Sequence, residues 1–207
     1  MRTITDAAQE DAWDEGYVWP RPPADGWRAD DLDGLAGLPP RTELIDGSLV
    51  RTGPQTLFHT RTIHYLMRLL MEQAPEEWEA VSRMTVTLDE RNRLEPDVSV
   101  VAVAAFTGPR QTGFAPADVL LAVEVVSDDS AARDRGIKPL KYARAGIPHF
   151  WRVESDGELP VVHAFALDPG TYAYGPAVSH RRRLTVDRPF PLDIDLTAVH
   201  PRRRPAS

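Results

Sequence analysis

With 207 residues, 42% of them hydrophobic and 27% charged, the chain is long enough to bury one well-filled core with some peripheral decoration. It has no cysteine, which excludes a disulfide framework and a cysteine-based zinc site, and no apolar run reaches the length of a membrane span. The formal net charge of −7 argues against a constitutive, tight binder of nucleic acid, but not against an enzyme acting on it, because the surface distribution of charge decides the partner.

The N-terminus, MRTITDAAQEDAWDEG, is acidic and lacks the apolar core of a secretory signal, so a cytoplasmic protein with no membrane partner is expected. Residues 1–28 carry Trp13, Trp19 and Trp27 and the turn-rich stretch WPRPPADGW, which reads as an arm that could pack on the domain or on a second subunit. Residues 30–38 allow a short helix closed by Pro39 and Pro40. In ELIDGSLVR the Asp46-Gly47 pair between apolar runs signals a tight hairpin. His59 to Gln73 has apolar residues at 63, 66, 67, 70 and 71, which is helical spacing.

Three strand candidates follow: Val81–Leu88, Asp97–Val103 and Val119–Val126. The first alternates at Met84, Val86 and Leu88, as a strand buried on one face does, whereas the other two are nearly continuous apolar runs suited to central strands. Ser127-Asp128-Asp129-Ser130 offers helix-capping chemistry, and the predicted helix runs to Ala145 with Gly146 as its stop. Pro139 interrupts it, dividing a first turn carrying Lys138 from a second helix carrying Tyr142. Pro148–Val153 returns as a strand to complete a β-α-β unit, and Val161–Leu167 and Thr171–Tyr174 add two more. The tail 200–207 is expected to be disordered.

The chemistry concentrates between Leu94 and Trp151. Asp97, Glu124 and Lys138 lie on successive elements, each beside an apolar run that would anchor it at a sheet edge. Two carboxylates and an amine so placed suit a divalent metal and a polarised phosphodiester. Glu124 interrupts the apolar strand LLAVEVV, and a buried glutamate is rare unless paired or metal-bound. The blander readings are a turn for Pro96-Asp97, a solvated helix lysine for Lys138 and a surface strand position for Glu43. Lys141 is expected to face water, Asp134 to pair locally with Arg133 or Arg135, and Tyr142 and Trp151 to pack in the core. The Asp128-Asp129 pair is explained by capping, and His163, His180 and His200 show no ligand spacing. Arg133, Arg135, Lys138, Lys141 and Arg144 form a local basic cluster.

The pieces ELIDG at 43–47, His59, PDVSV at 96–100, EVVS at 124–127 and RDRGIKPLKYARAGIPHFW at 133–151 cover about 110 residues. In this order the chain resembles the Uma family of the PD-(D/E)XK nuclease superfamily. That resemblance implies a restriction-endonuclease-like fold, an α/β (α+β) mixed sheet with an α-β-β-β-α-β core and added C-terminal strands, over residues 29–199 as one domain. It assigns Asp97 and Glu124 as catalytic metal ligands with Glu43 assisting. The superfamily lysine falls two residues after Glu124, where this chain has Val126, and the resemblance points to Lys138 as its replacement. His59, Arg133 and Arg135 become substrate contacts, Mg (or Mn) the cofactor, DNA the substrate and a homodimer the assembly. The implied activity is a metal-dependent endonuclease. Its competitors are a non-catalytic nucleic-acid-binding or regulatory module of the same fold, and an assembly protein using the Trp-rich arm. The nuclease reading requires the carboxyl groups of Asp97 and Glu124 to face the same side of the sheet.

Overall fold

The computed structural model describes residues 19–157 and 159–199. Residues 1–18 of the expected arm, with Trp13, and the tail with His200 lie outside the described residues. The connector from Trp19 is pinned by backbone bonds, Trp27 N–H to the Gly47 carbonyl and Ala29 N–H to the Glu90 carbonyl, both 2.8 Å. A single helical turn follows, α1 (Asp31–Gly34), shorter than the predicted 30–38.

The hairpin β1 (Thr42–Ile45) and β2 (Ser48–Arg51) turns where the sequence places it. Asp46 and Gly47 have φ of 51° and 79°, and a tight hairpin needs both turn residues in the left-handed region to match the strand twist. The next helix, α2 (Leu57–Gln73), is capped by the Thr56 hydroxyl, which accepts from His59 N–H at 3.2 Å. Its buried stripe is His59, Thr62, Ile63, Leu66 and Leu70, spaced by three and four as a one-faced helix requires.

The predicted strand Val81–Leu88 is in fact two. β3 (Trp78–Ser82) and β4 (Thr85–Asp89) part at Arg83, whose φ of 54° turns the chain out of one sheet into another. Nothing marks the break, since arginine has no preference for that conformation and no Gly or Pro intervenes. Beyond β4 come β5 (Asn92–Leu94), β6 (Val98–Ala102), β7 (Gly113–Phe114) and β8 (Val119–Val125). The predicted helix is present as a continuous helical run over residues 131–144, opened by the Ser127–Ser130 turn; its middle, Arg133–Ile137, is a wide π-type turn that passes directly into α3 (Lys138–Arg144). Pro139 follows the π-type turn directly, where the Lys138 N–H reaches back five residues to the Arg133 carbonyl, and this widening of the helix accommodates the missing proline N–H. Lys138 and Tyr142 therefore share one helix rather than two, and Gly146, at φ 82°, stops it.

The chain then forms β9 (His149–Asp156), β10 (Leu159–Asp168), β11 (Ala173–Tyr174), β12 (Val178–Arg181), β13 (Arg183–Val186) and β14 (Leu192–Asp195). Among the described residues the larger sheet has the order β11-β10-β9-β8-β6-β3, with β12 also on β10. A second sheet has the order β2-β1-β5-β4-β7, and β13 pairs with β14 alone. β8 and β9 are parallel, joined through α3 as a β-α-β unit, and the fold is a mixed sheet with helices on its faces. One core packs α2 through Ile63, Leu66 and Leu70 on Val100, Leu121, Val123, Val125 and Trp151. The other joins α3 and the second sheet through Ile45, Val86, Leu94, Ala122, Tyr142 and Phe150. No helix among the described residues is long and apolar enough to cross a membrane.

Candidate active site

Strand alternation decides which way the two key carboxylates face. Leu121, Val123 and Val125 belong to the core under α2, whereas Ala122 belongs to the core under α3, so Glu124 turns toward α3. The antiparallel pairing of β6 with β8 matches Val98 to Val123 and Ser99 to Ala122. One step beyond, Asp97 stands opposite Glu124 and on the same side, as the nuclease reading requires. Its Oδ2 accepts from Val125 N–H at 2.8 Å and lies 3.1 Å from His59 Nε2, at the start of α2.

Lys138 reaches the same place from α3. Its Nζ donates to Glu124 Oε1 at 3.0 Å, lies 2.9 Å from Glu43 Oε1 on β1, and stands 3.6 Å from Asp134 Oδ1. Glu43 Oε1 also accepts from Glu95 N–H at 2.8 Å, and Tyr142 Oη donates to Glu124 Oε1 at 2.6 Å. Glu43, His59, Asp97, Glu124, Asp134 and Lys138 are all buried, none more than 5% exposed. Together with Arg41, Thr52, Gln55, Glu95 and Ser130 they line a pocket of about 10 Å³, close to the room one water or ion takes.

Four carboxylates facing one ammonium leave this pocket short of positive charge. Burial pushes the Glu124 carboxyl well above the usual range; the Lys138 ammonium opposes this, and Asp134, Asp97 and Glu43 reinforce it. Asp134 is raised chiefly by burial too. Burial alone would lower the Lys138 ammonium, but Glu124, Glu43, Asp134 and Asp97 together hold it well above its ordinary value. Tyr142 is raised by burial and by Glu124, which keeps its hydroxyl a donor.

The donor set fits a hard divalent cation, being carboxylate oxygens, two of which, Glu43 Oε2 and Asp134 Oδ1, are buried without a hydrogen-bond partner. Among the described residues no three Asp, Glu or His side chains already converge as a ligand set. Mg²⁺ does not require one, since it is held by one or two carboxylates with water and substrate phosphate.

Of the sequence-predicted residues, the fold thus brings Glu43, His59, Asp97, Glu124 and Lys138 together, and leaves two arginines aside. Arg133 pairs with Asp129 at 3.0 Å, and Arg135, on the outer surface, pairs with Glu154 at 2.6 Å. Asp134 does not pair with either arginine, as the sequence suggested. The wide turn points it inward, where the Ser130 hydroxyl donates to it. Asp129 is no simple cap but accepts from Gly53 N–H at 3.1 Å as well as from Arg133. Lys141 lies against the hairpin, bonded to Asp46, rather than in water. Tyr142 is in the core as expected, yet it also serves the site. Asp134, Lys138 and Tyr142 fall at intervals of four, one stripe of a helix, and that spacing was the available signal for the two missed residues.

A crystal structure described as a putative nuclease belonging to DUF820 from Anabaena variabilis ATCC 29413 has the same fold, with a TM-score of 0.63 and 14% identity. The match covers 82% of this chain and 95% of that one. No curated protein matches the chain in sequence. The Uma2 family model, described as "Putative restriction endonuclease", matches residues 29–199, and the chain belongs to that family.

Proposed function

We propose that this chain is a metal-dependent endonuclease that hydrolyses DNA phosphodiesters. The observation that carries the reading is the meeting of Asp97, just before β6, Glu124 on β8 and Lys138 on α3 in one buried pocket short of positive charge. Asp97 and Glu124 would hold Mg²⁺ or Mn²⁺, with Glu43 beside them. A bound divalent ion lowers the pKa of a coordinated water and offsets charge on the phosphoryl oxygens.

The chain's own residues do the rest. Lys138 sets a fixed positive charge beside Glu124, where it can orient an attacking water and stabilise charge on the transferred phosphoryl group. Tyr142 donates to Glu124 and fixes that carboxylate. His59 and the Val125 amide do the same for Asp97. A homodimer would place two such sites on the two strands of a duplex.

The test is plasmid nicking by the purified full chain with Mg²⁺ or Mn²⁺. Conversion of supercoiled DNA is expected, together with its loss in Asp97→Ala and Glu124→Ala. Cleavage surviving in both variants rejects the assignment. One observation favours a non-catalytic nucleic-acid-binding module instead, because Lys138 is already engaged by Glu43 and Glu124. That reading expects salt-sensitive retention of DNA without metal-dependent turnover.

A further inference from the structure

The pocket described above repels what the proposed reaction must bring into it. A DNA strand is a polyanion, and the lining offers it four buried carboxylates plus Glu95. The ammonium of Lys138 is held among those carboxylates, and the guanidinium groups of Arg133 and Arg135 are engaged by Asp129 and Glu154. Arg41 differs from all three. It lines the same pocket, and among the described residues it makes no ion pair and no side-chain hydrogen bond.

Its backbone is also unusual. Arg41 has φ 67°, in the left-handed region that non-glycine residues seldom occupy because the Cβ crowds the following carbonyl oxygen. Such outliers persist where the surroundings over-determine them, often at functional sites. Two residues later Glu43 enters the pocket from β1. The strained turn therefore delivers a cation to the pocket's lining and an acid to its interior within three residues of chain.

We infer that Arg41 is the substrate-binding residue that receives a backbone phosphate of the nucleic acid next to the bond to be cut. This rests on the nuclease reading above. The planar guanidinium matches two phosphate oxygens, and a phosphate contact fixes register without reading sequence. Glu95, which lines the same pocket, feels the Arg41 charge without pairing with it, so the guanidinium keeps its donors for a phosphate.

The variants are Arg41→Gly, Arg41→Lys and, as a charge-matched control, Arg183→Gln on the β13–β14 hairpin. Glycine tolerates φ 67°, so the turn survives while the side chain is removed. Binding of a fluorescent DNA duplex by the full chain is measured by anisotropy over a salt series with Ca²⁺. Cleavage is then followed with Mg²⁺.

Arg41→Gly is expected to weaken binding about ten- to a hundredfold, and its salt slope should fall by about one phosphate. Arg41→Lys should lose less, and Arg183→Gln should track wild type. In cleavage KM should rise with kcat little changed, which a purely structural role for Arg41 does not produce. Wild-type affinity and slope in Arg41→Gly overturn the assignment of Arg41 alone, provided wild type binds. A wild-type chain that fails to bind or cut DNA at low salt overturns this inference together with the function it rests on.

Discussion

Replacing Lys138 with methionine keeps the aliphatic stem and removes the ammonium around which Glu43, Glu124 and Asp134 are arranged. Breaking a buried pair by deleting one partner costs about 3–5 kcal/mol, since the abandoned charge stays out of water. For a domain of this size each kcal/mol moves Tm by about 2–4 °C, so a fall on the order of 6–20 °C is expected at pH 8.

The cost must depend on pH. Glu124 and Asp134 are acids held above their ordinary range by burial, so the folded state takes up protons that the unfolded chain does not. Their contribution to stability is therefore fullest in acid and is lost as pH rises from the unfolded pKa through the raised folded one. Without the ammonium, Glu124 is raised further. Lowering the pH then neutralises the charge that Lys138→Met leaves behind, and the gap from wild type narrows. Urea denaturation of both proteins at pH 8 and pH 5.5 reads this directly. The double variant Lys138→Met/Glu124→Gln should recover part of the loss at pH 8, because both halves of the pair are then neutral. A loss below about 1 kcal/mol at pH 8, or one unchanged at pH 5.5, refutes the account of the pocket as short of positive charge.

Tyr142→Phe keeps the buried ring and removes the hydroxyl on Glu124, which should cost about 1.5–3 kcal/mol by denaturation and reduce cleavage; equal stability and activity would show that hydrogen bond to be dispensable. Mg²⁺ binding by calorimetry should be tighter at pH 8 than at pH 6 and should release protons to the buffer, as the cation favours the charged forms of the raised Glu124 and Asp134 carboxyls; affinity independent of pH counts against a carboxylate site. At the hairpin, Asp46→Ala should lower stability by about 1 kcal/mol or more, since alanine gains nothing at φ 51° and the contact with Lys141 goes too. Asp46→Gly, with no Cβ at that φ, should cost less, as a thermal melt of both variants would show.

What could be read from the chain was written in local chemistry. Asp46-Gly47 announces its turn because few residue pairs accept two left-handed conformations, and α2 announces itself by a stripe that repeats over four turns. Glu124 stands out because it interrupts an apolar strand. The break at Arg83 and the turn at Arg41 were illegible because both are strained positions held by tertiary surroundings, and no residue preference betrays them. β5, β7 and β12 to β14 are two to four residues long, too short for a period to show. Asp134 was misread because its neighbours Arg133 and Arg135 satisfy a local rule. The wide turn overrides that rule by rotating the carboxylate inward.

The ammonium of Lys138 rides on a helix, whereas Glu124 belongs to the sheet and Asp97 leads into it. Had the amine stood two residues from Glu124 on the same strand, the pleat alone would set their spacing. Here that spacing is an outcome of how α3 seats against Ile147, Phe150 and the second sheet. Trimming one of those apolar side chains, which carry no charge themselves, should therefore detune the chemistry before it unfolds the protein, and loosening of the helix should silence the site while the sheet stays intact.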